Sequence, residues 1–540
     1  MTSSTLIEVF GHIVFSFTRG VTEHYNPEEP EFTAEAFGYN PLESTGREWY
    51  YHPVEEVIYQ EYSDREATSF DFLASSRLHV RVINACPSQE NEETQENEDR
   101  AMAWRRLKPS ALRTVWKSMY TGVLISLLTA IFVGTFYILI SYLCYKTKNY
   151  CNYHSKHLIP IQVQWLRAIS GAILNGFVYF WYFSIVLFLF CSFQLTGVKK
   201  LLFLVCFLLF CLDALYRVAL QALGKPFSNS PQAQLQEIPC NVLFLVSVCL
   251  QLYVITNHFF RQSRRKKLGL FLQLMVPGCI PLIVGSHIGE FVIYPAYNKQ
   301  NGKGKLLMAL FAPLIGVFLK VISRICVQWL YNITHPGYSY ALLSPLYFGS
   351  ALIFRVLQAD LDNLQAIAIL GTIHGAAEVI ERSTMVVVDH ICHLLWKRTS
   401  ASWGSFRTPR RERLMADIAI MSMLSESTAI VCVNGFLYLY QFTYVKDKRL
   451  LTLLESFAIH TSAQLVIEWF FTSLSLAIQT RYQNMAVMAV WRRQWKRHIS
   501  VAIINVVPLA IWSSGNFSVL LYGRFSGSLN NNQTCRMPFT

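Results

Sequence analysis

Residues 360–397 read DLDNLQAIAILGTIHGAAEVIERSTMVVVDHICHLLWK, and how this stretch folds decides the architecture of the chain. Ile367, Ala368, Ile369, Leu370, Ile373, Ala377, Val379 and Ile380 make it apolar enough to cross a bilayer, yet His374, Glu378, Glu381, Arg382, Asp389, His390 and His393 are set into it. Wound as one helix at about 100° per residue, the side chains point, relative to His374, at about −20° (Glu381), 40° (Glu378), 60° (Asp389), 80° (Arg382) and 100° (His393). Six ionisable groups then share about one third of the circumference, and His390, near 160°, falls outside it. Gly371 and Gly375 lie on the same side, which leaves room for another backbone to approach. Each ionisable group in hydrocarbon costs roughly 3 kcal/mol or more unless it faces a partner or water. The stripe is therefore expected to face the protein interior or an aqueous pathway.

Working outward from it, the chain is too apolar for an average soluble globule: 53% of its 540 residues are hydrophobic. The expected fold is an all-α polytopic integral membrane protein with about 11 transmembrane helices (10–12 being the range) and a small acidic N-terminal region. Charge is segregated along the chain. Residues 1–99 hold 20 acidic against 5 basic residues, a net −15, and the remainder holds 42 basic against 14 acidic, a net +28. That break separates an acidic, partly ordered N-terminal region (1–99) from a basic juxtamembrane segment (100–118), a multi-span domain (119–522) and a C-terminal tail (523–540). Leu78, Val80 and Val82, alternating with His79 and Arg81, predict a strand in the acidic region.

The spans are expected at 119–145, 168–195, 201–223, 238–260, 268–297, 306–330, 340–357, 360–397, 415–442, 450–479 and 499–522. In the fifth, Pro277, Gly278 and Pro281 are expected to break the helix ahead of His287 and Glu290. Between the tenth and eleventh, Arg492, Arg493, Lys496 and Arg497 with Trp491 and Trp495 suggest a basic surface helix. The strong basic clusters, around 100–117, 261–267, 397–413 and 481–497, fall on one side when there are eleven spans. By the positive-inside rule this puts the N-terminus in the cytoplasm and the C-terminus outside or in a lumen, in the plasma membrane or an endomembrane. The same placement beside spans argues against nucleic acid as the partner of these clusters. The partners expected are the lipid bilayer, a small solute or cation, and a cytoplasmic protein for the acidic N-terminal region.

Asp213 and Arg217, i and i+4 with the acid first, are expected to form a structural ion pair. Lys320 and Arg324 lie one turn apart and cannot neutralise each other, so they need acids from elsewhere. Glu290, Glu378, Glu381, Glu426, Glu455 and Glu468 are available, and a network joining spans five, six, eight and ten is the economical expectation. His460 joins the candidates as a titratable group beside Glu455. For a metal, His374 and His393 stand about 28 Å apart on a straight helix, and Asp389 with His393 is the compact pair; two ligands on one helix are a weak signal, so no metal site and no cofactor is assigned.

No Walker loop, GxSxG elbow or kinase signature is identified. Ser425 with Glu426, and His460 with Glu455, are the only groupings that suggest intramembrane hydrolysis. The function read from the residues is a transporter that moves a small solute or ion through a polar pathway lined by intramembrane acids and histidines. The alternatives are a noncatalytic membrane scaffold or receptor, and an ion channel. Thirteen cysteines are present. Cys151, Cys240 and Cys535 are assigned to the outer side, with a Cys151–Cys240 disulfide expected, and Asn532 is the sequon expected to accept a glycan.

Overall fold

The computed structural model describes residues 111–149, 151, 158–190, 194–224, 231–261, 263–283, 296, 299–300, 302–330, 333–334, 336–359, 364–397, 409–444, 449–483, 485, 487–525, 535 and 537–538. The strand expected at 78–82, Glu290 and Asn532 lie outside them. Among the described residues every regular element is a helix, and ten helices are long and apolar enough to cross a membrane. The chain is thus an all-α polytopic membrane protein.

In order, the helices are α1 (Ala111–Gly122), joined through a π-helical turn (Val123–Leu128) to α2 (Thr129–Thr147), then α3 (Ile161–Leu189), α4 (Lys199–Ala222), α5 (Pro231–Phe259), α6 (Arg264–Ile283) and α7 (Gly302–Gln328). A short turn of helix at Pro336–Ser339 and a 3-10 turn at Tyr340–Leu342 lead into α8 (Ser344–Ala359). The last four are α9 (Leu364–Lys397), α10 (Pro409–Tyr444), α11 (Leu450–Arg481) and α12 (Val487–Phe525). Local sequence sets several ends. Pro160, with an extended backbone, precedes α3, and Gly224 at φ 69° ends α4 in the left-handed conformation that a glycine adopts without a Cβ penalty.

Two expectations about helix continuity are corrected. α6 runs unbroken through Pro277, Gly278 and Pro281 to Ile283. In a membrane the loss of an N–H at proline is tolerated where packed neighbours and local adjustment restore the freed backbone groups, and Pro277 is buried. The basic segment before the last span is not a separate surface helix either. It forms the first turns of α12, with Trp491 buried and Trp495 and Lys496 exposed.

The described chain forms two compact units. The larger holds residues 122–381, 417–472 and 494–540. In it α3 packs on α4, α4 on α5, α5 on α6, α6 on α7 and α7 on α8, each on the long helix that follows it in the chain. α10 is its innermost helix, with every residue from 417 to 437 buried. Ala130 of α2, Ile430 and Val431 of α10 and Leu465 of α11 make a core cluster. Gly134 and Gly435 let α2 and α10 approach closely: a Cβ at the first would collide with Val431, and at the second with Ile138. Conversely, α4 and α7 expose Phe203, Phe207, Leu215, Leu307, Leu314 and Phe318, the apolar surface expected against lipid tails.

The smaller unit holds residues 1–121, 382–416 and 473–493. Within it Ser118 Oγ donates to Met488 Sδ at 3.9 Å, and Gln483 Nε2 donates to the Ser383 carbonyl.

Candidate functional site

α9 is a single helix from Leu364 to Lys397, so the face read from its sequence exists as one surface down to Glu381 in the larger unit. His374, Glu378 and Glu381 sit there on successive turns. The partners that meet them come from α7, α8, α10 and α11.

The centre of the cluster is a residue that the sequence reading did not single out. Arg355 of α8 donates from one terminal nitrogen to Gln358 Oε1 at 2.9 Å. Its other terminal nitrogen donates to Glu468 Oε2 of α11 at 2.8 Å and lies 3.4 Å from Glu426 Oε2 of α10. Gln358 in turn donates to the Ile367 carbonyl at 2.9 Å, which ties the C-terminal end of α8 to the first turn of α9. All four side chains are buried. A planar guanidinium suits this position because it can hold two carboxylates and an amide at once, which one ammonium does less well.

Glu426 also faces α9. His374 Nε2 lies 3.4 Å from Glu426 Oε2 and 3.4 Å from Glu378 Oε1. The imidazole is held flat against the Phe354 ring, centroids 3.6 Å apart and 18° between planes, so its Nε2 edge is aimed at the two carboxylates by packing. The glycines beside it are used by side chains rather than by a backbone. Gly371 leaves space for Gln358 and Ile467, and a Cβ at Gly375 would collide with the Phe471 ring.

One turn farther along α9, Glu381 receives Lys320 and Arg324 of α7. Lys320 Nζ is 3.3 Å from Glu381 Oε2, and Arg324 is 3.8 Å from Glu381 Oε1. Arg324 also donates to the Tyr347 hydroxyl at 3.1 Å, and Lys320 Nζ lies 5.0 Å from the centre of the same ring. Lys320 and Arg324 thus find their acid on α9.

The network differs from its expected form in three ways. Among the described residues it joins spans six, seven, eight, nine and ten, so span seven enters through Arg355 and Tyr347 and span nine through Glu426, while Glu290, the member expected from span five, lies outside them. Glu455 is exposed on α11, because it falls on that helix's outer face, and takes no part. His460 is half-buried, with its Nδ1 2.8 Å from the Ser456 carbonyl oxygen and 3.1 Å from the Tyr438 hydroxyl, so its hydrogen-bond partners are not the clustered acids. Arg382 and Asp389 are buried in the smaller unit, where His390 is buried too, although its azimuth placed it off the stripe. The side chain of His393 lies outside the described residues, and with it the proposed pair with Asp389.

Away from the cluster, Arg217 Nε donates to Asp213 Oδ2 at 3.0 Å within α4, and Asn175 of α3 donates to the same oxygen at 3.2 Å. A second buried pair joins α10 to α12: His498 Nε2 is 2.9 Å from Asp417 Oδ1, its Nδ1 is 3.0 Å from the Gln494 carbonyl oxygen, and Tyr340 stacks on the ring. The disulfide is a correction. Cys151 is bonded to Cys535, with Cα atoms 6.0 Å apart, while Cys240 is buried within α5 outside that disulfide. The connection after α2 and the C-terminal tail satisfy the short Cα separation that a disulfide requires.

No protein-family model, curated protein or solved structure matches this chain.

Proposed function

We propose that the protein is a transporter that moves a small solute or ion along a polar pathway through the larger unit, with His374, Glu378 and Glu426 at its centre. The observation that carries this reading is a charge count. The linked groups comprise three bases (Lys320, Arg324, Arg355) and four acids (Glu378, Glu381, Glu426, Glu468). With His374 neutral these groups, among the described residues, are one positive charge short, and an uncompensated buried charge costs several kcal/mol. One cation, a proton on His374 or an ion between the carboxylates, completes it. A cluster that needs a cation to close its charge balance is suited to binding and releasing one during transport.

The scaffold reading draws support from the groups that already neutralise each other. Asp213 with Arg217 is such a pair, and Glu381 with Lys320 and Arg324 is a second arrangement in which opposite charges meet. These we assign to structure. Glu378→Gln separates the two readings when stability and flux are measured on the same purified protein. Transport predicts a variant that melts near wild type with altered flux; a purely structural role predicts loss of folded protein and no flux from wild type.

We further infer eleven crossings with the N-terminus in the cytoplasm and the C-terminus outside or in a lumen. The Cys151–Cys535 bond supports this, because one cysteine follows the first crossing and the other the last. They share a face only if the number of crossings is odd, and α6, taken as a crossing beyond the ten apolar spans, supplies the eleventh. An oxidising face for that bond is the outer one, opposite the basic clusters.

A further inference from the structure

We propose that His374, Glu378 and Glu426 form a binding site for a zinc-sized divalent transition-metal ion. The three side chains present one ligand atom each, a ring nitrogen and two carboxylate oxygens, all within 4.8 Å of one another. Two of the three separations are 3.4 Å. That is long for a charge-assisted N–H···O bond, which closes to about 2.7–2.9 Å. It is instead the edge of a metal tetrahedron: two ligands about 2.05 Å from a zinc ion at the tetrahedral angle stand about 3.3 Å apart. A single Nε2 proton shared between two carboxylates makes two weak bonds, whereas an ion placed between the three atoms engages all of them through lone pairs.

The donor set selects the ion. An imidazole nitrogen disfavours calcium and magnesium, which take oxygen ligands, and suits zinc and its first-row neighbours. The absence of thiolate from the trio sets it apart from the sulfur-rich structural zinc sites. Three protein ligands leave a fourth tetrahedral position open, as in sites that exchange what they bind. His374 and Glu378 share one face of α9 one turn apart, and Glu426 comes from α10, so the site closes between two helices and opens if they part.

The groups around the trio support it. Phe354 fixes the imidazole plane, and Arg355 already holds Glu468 at 2.8 Å, so it can keep that partner when Glu426 turns towards a metal. Such outer partners set ligand orientation and are felt in metal affinity. A divalent ion between Glu378 and Glu426 neutralises those two carboxylates, and it takes the wider cluster from a net −1 to a net +1.

The inference names the cation for the transport reading above and rests on it only for the purpose of the site, because occupancy is measurable without flux. The test uses the full-length protein, purified in detergent, stripped with a chelator and titrated with Zn²⁺ alone by equilibrium dialysis. One saturable equivalent per chain is expected, and X-ray absorption at the zinc edge should show nitrogen and oxygen neighbours without sulfur. His374→Gln and Glu378→Gln should each weaken binding by at least about tenfold, the scale seen on disturbing metal-site ligand shells. His258→Gln, at an exposed histidine of α5, should leave it unchanged. Should Glu426→Gln fail to fold once its Arg355 contact is weakened, the two α9 variants carry the result. Absence of saturable zinc, retention of zinc by both α9 variants, or sulfur in the first shell would overturn the site. Zinc bound as described by a protein that moves no cation across vesicles would leave the metal site standing and remove the transport reading; cation flux without zinc binding would do the reverse.

Discussion

Replacing Arg355 by methionine is the sharpest probe of what holds the larger unit together. The guanidinium makes three contacts at 2.8, 2.9 and 3.4 Å, and two of its partners are carboxylates on different helices. Arg355→Met keeps the apolar stem and removes all three. Glu426 and Glu468, both buried, then face each other across an apolar space with no shared counter-charge. Removing one member of a buried ion pair typically costs about 3–5 kcal/mol, and the lost bond to Gln358 adds about 1 kcal/mol. Against a total stability on the order of 5–15 kcal/mol this is a large fraction. The temperature at which monodisperse detergent-solubilised protein is half lost should fall by roughly 5–10 °C. Arg355→Lys should fall between wild type and Arg355→Met, since an ammonium replaces the charge but not the fork. Arg355→Met with Glu468→Gln should recover much of the loss by removing one stranded charge. If Arg355→Met melts with wild type, or the double variant is worse than the single, the guanidinium does not bridge α8, α10 and α11 as described.

Three further outcomes are expected. Asp213→Asn removes the carboxylate that Arg217 binds within α4 and should destabilise the protein by about 3 kcal/mol without changing transport per folded molecule; a change in flux at equal folded amount would place this pair in the pathway. Peptide mapping without reduction should recover Cys151 linked to Cys535 with Cys240 as a thiol, and Cys535→Ser should cost about 2–4 kcal/mol; a linked Cys240 would refute the pairing. In a glycosylating membrane Asn532 should carry a glycan and Asn332 should not, while a glycan on Asn332 would reverse the parity of spans five to eight.

Helix α9 was legible in the sequence because its apolar spacing and its charges repeat with one period, and that period alone placed His374, Glu378 and Glu381 on one face. The bases of α7 could be seen to need an acid, but not which one, since helix periodicity fixes azimuth within a helix and says nothing about the helix opposite. Arg355 carries little signal by itself, because a lone arginine near the end of a short span can reach the interface. A signal was present: Tyr347, Phe354, Arg355 and Gln358 share one face of α8 at helical spacing, and two aromatics beside an arginine and an amide make an unusual face for lipid. The continuity of α6 through two prolines, and of α12 through its basic start, depended on neighbours that supply or cover backbone groups, which no local pattern reports. Cysteine pairing was equally illegible, because three candidate thiols on one face allow several pairings and only the fold brings Cys535 to Cys151.

The most direct test of the central claim, that the buried cluster is a transport pathway, is cation flux into sealed vesicles. Wild type, Glu378→Gln and Asp213→Asn would be reconstituted at matched amounts of folded protein, with the interior reporting protons and divalent metal separately. Transport through the cluster predicts flux above protein-free vesicles for wild type and Asp213→Asn, and flux reduced or altered in its proton dependence for Glu378→Gln. Wild-type vesicles that move no cation, together with a Glu378→Gln protein that fails to remain folded, would contradict it and leave the cluster as a structural network.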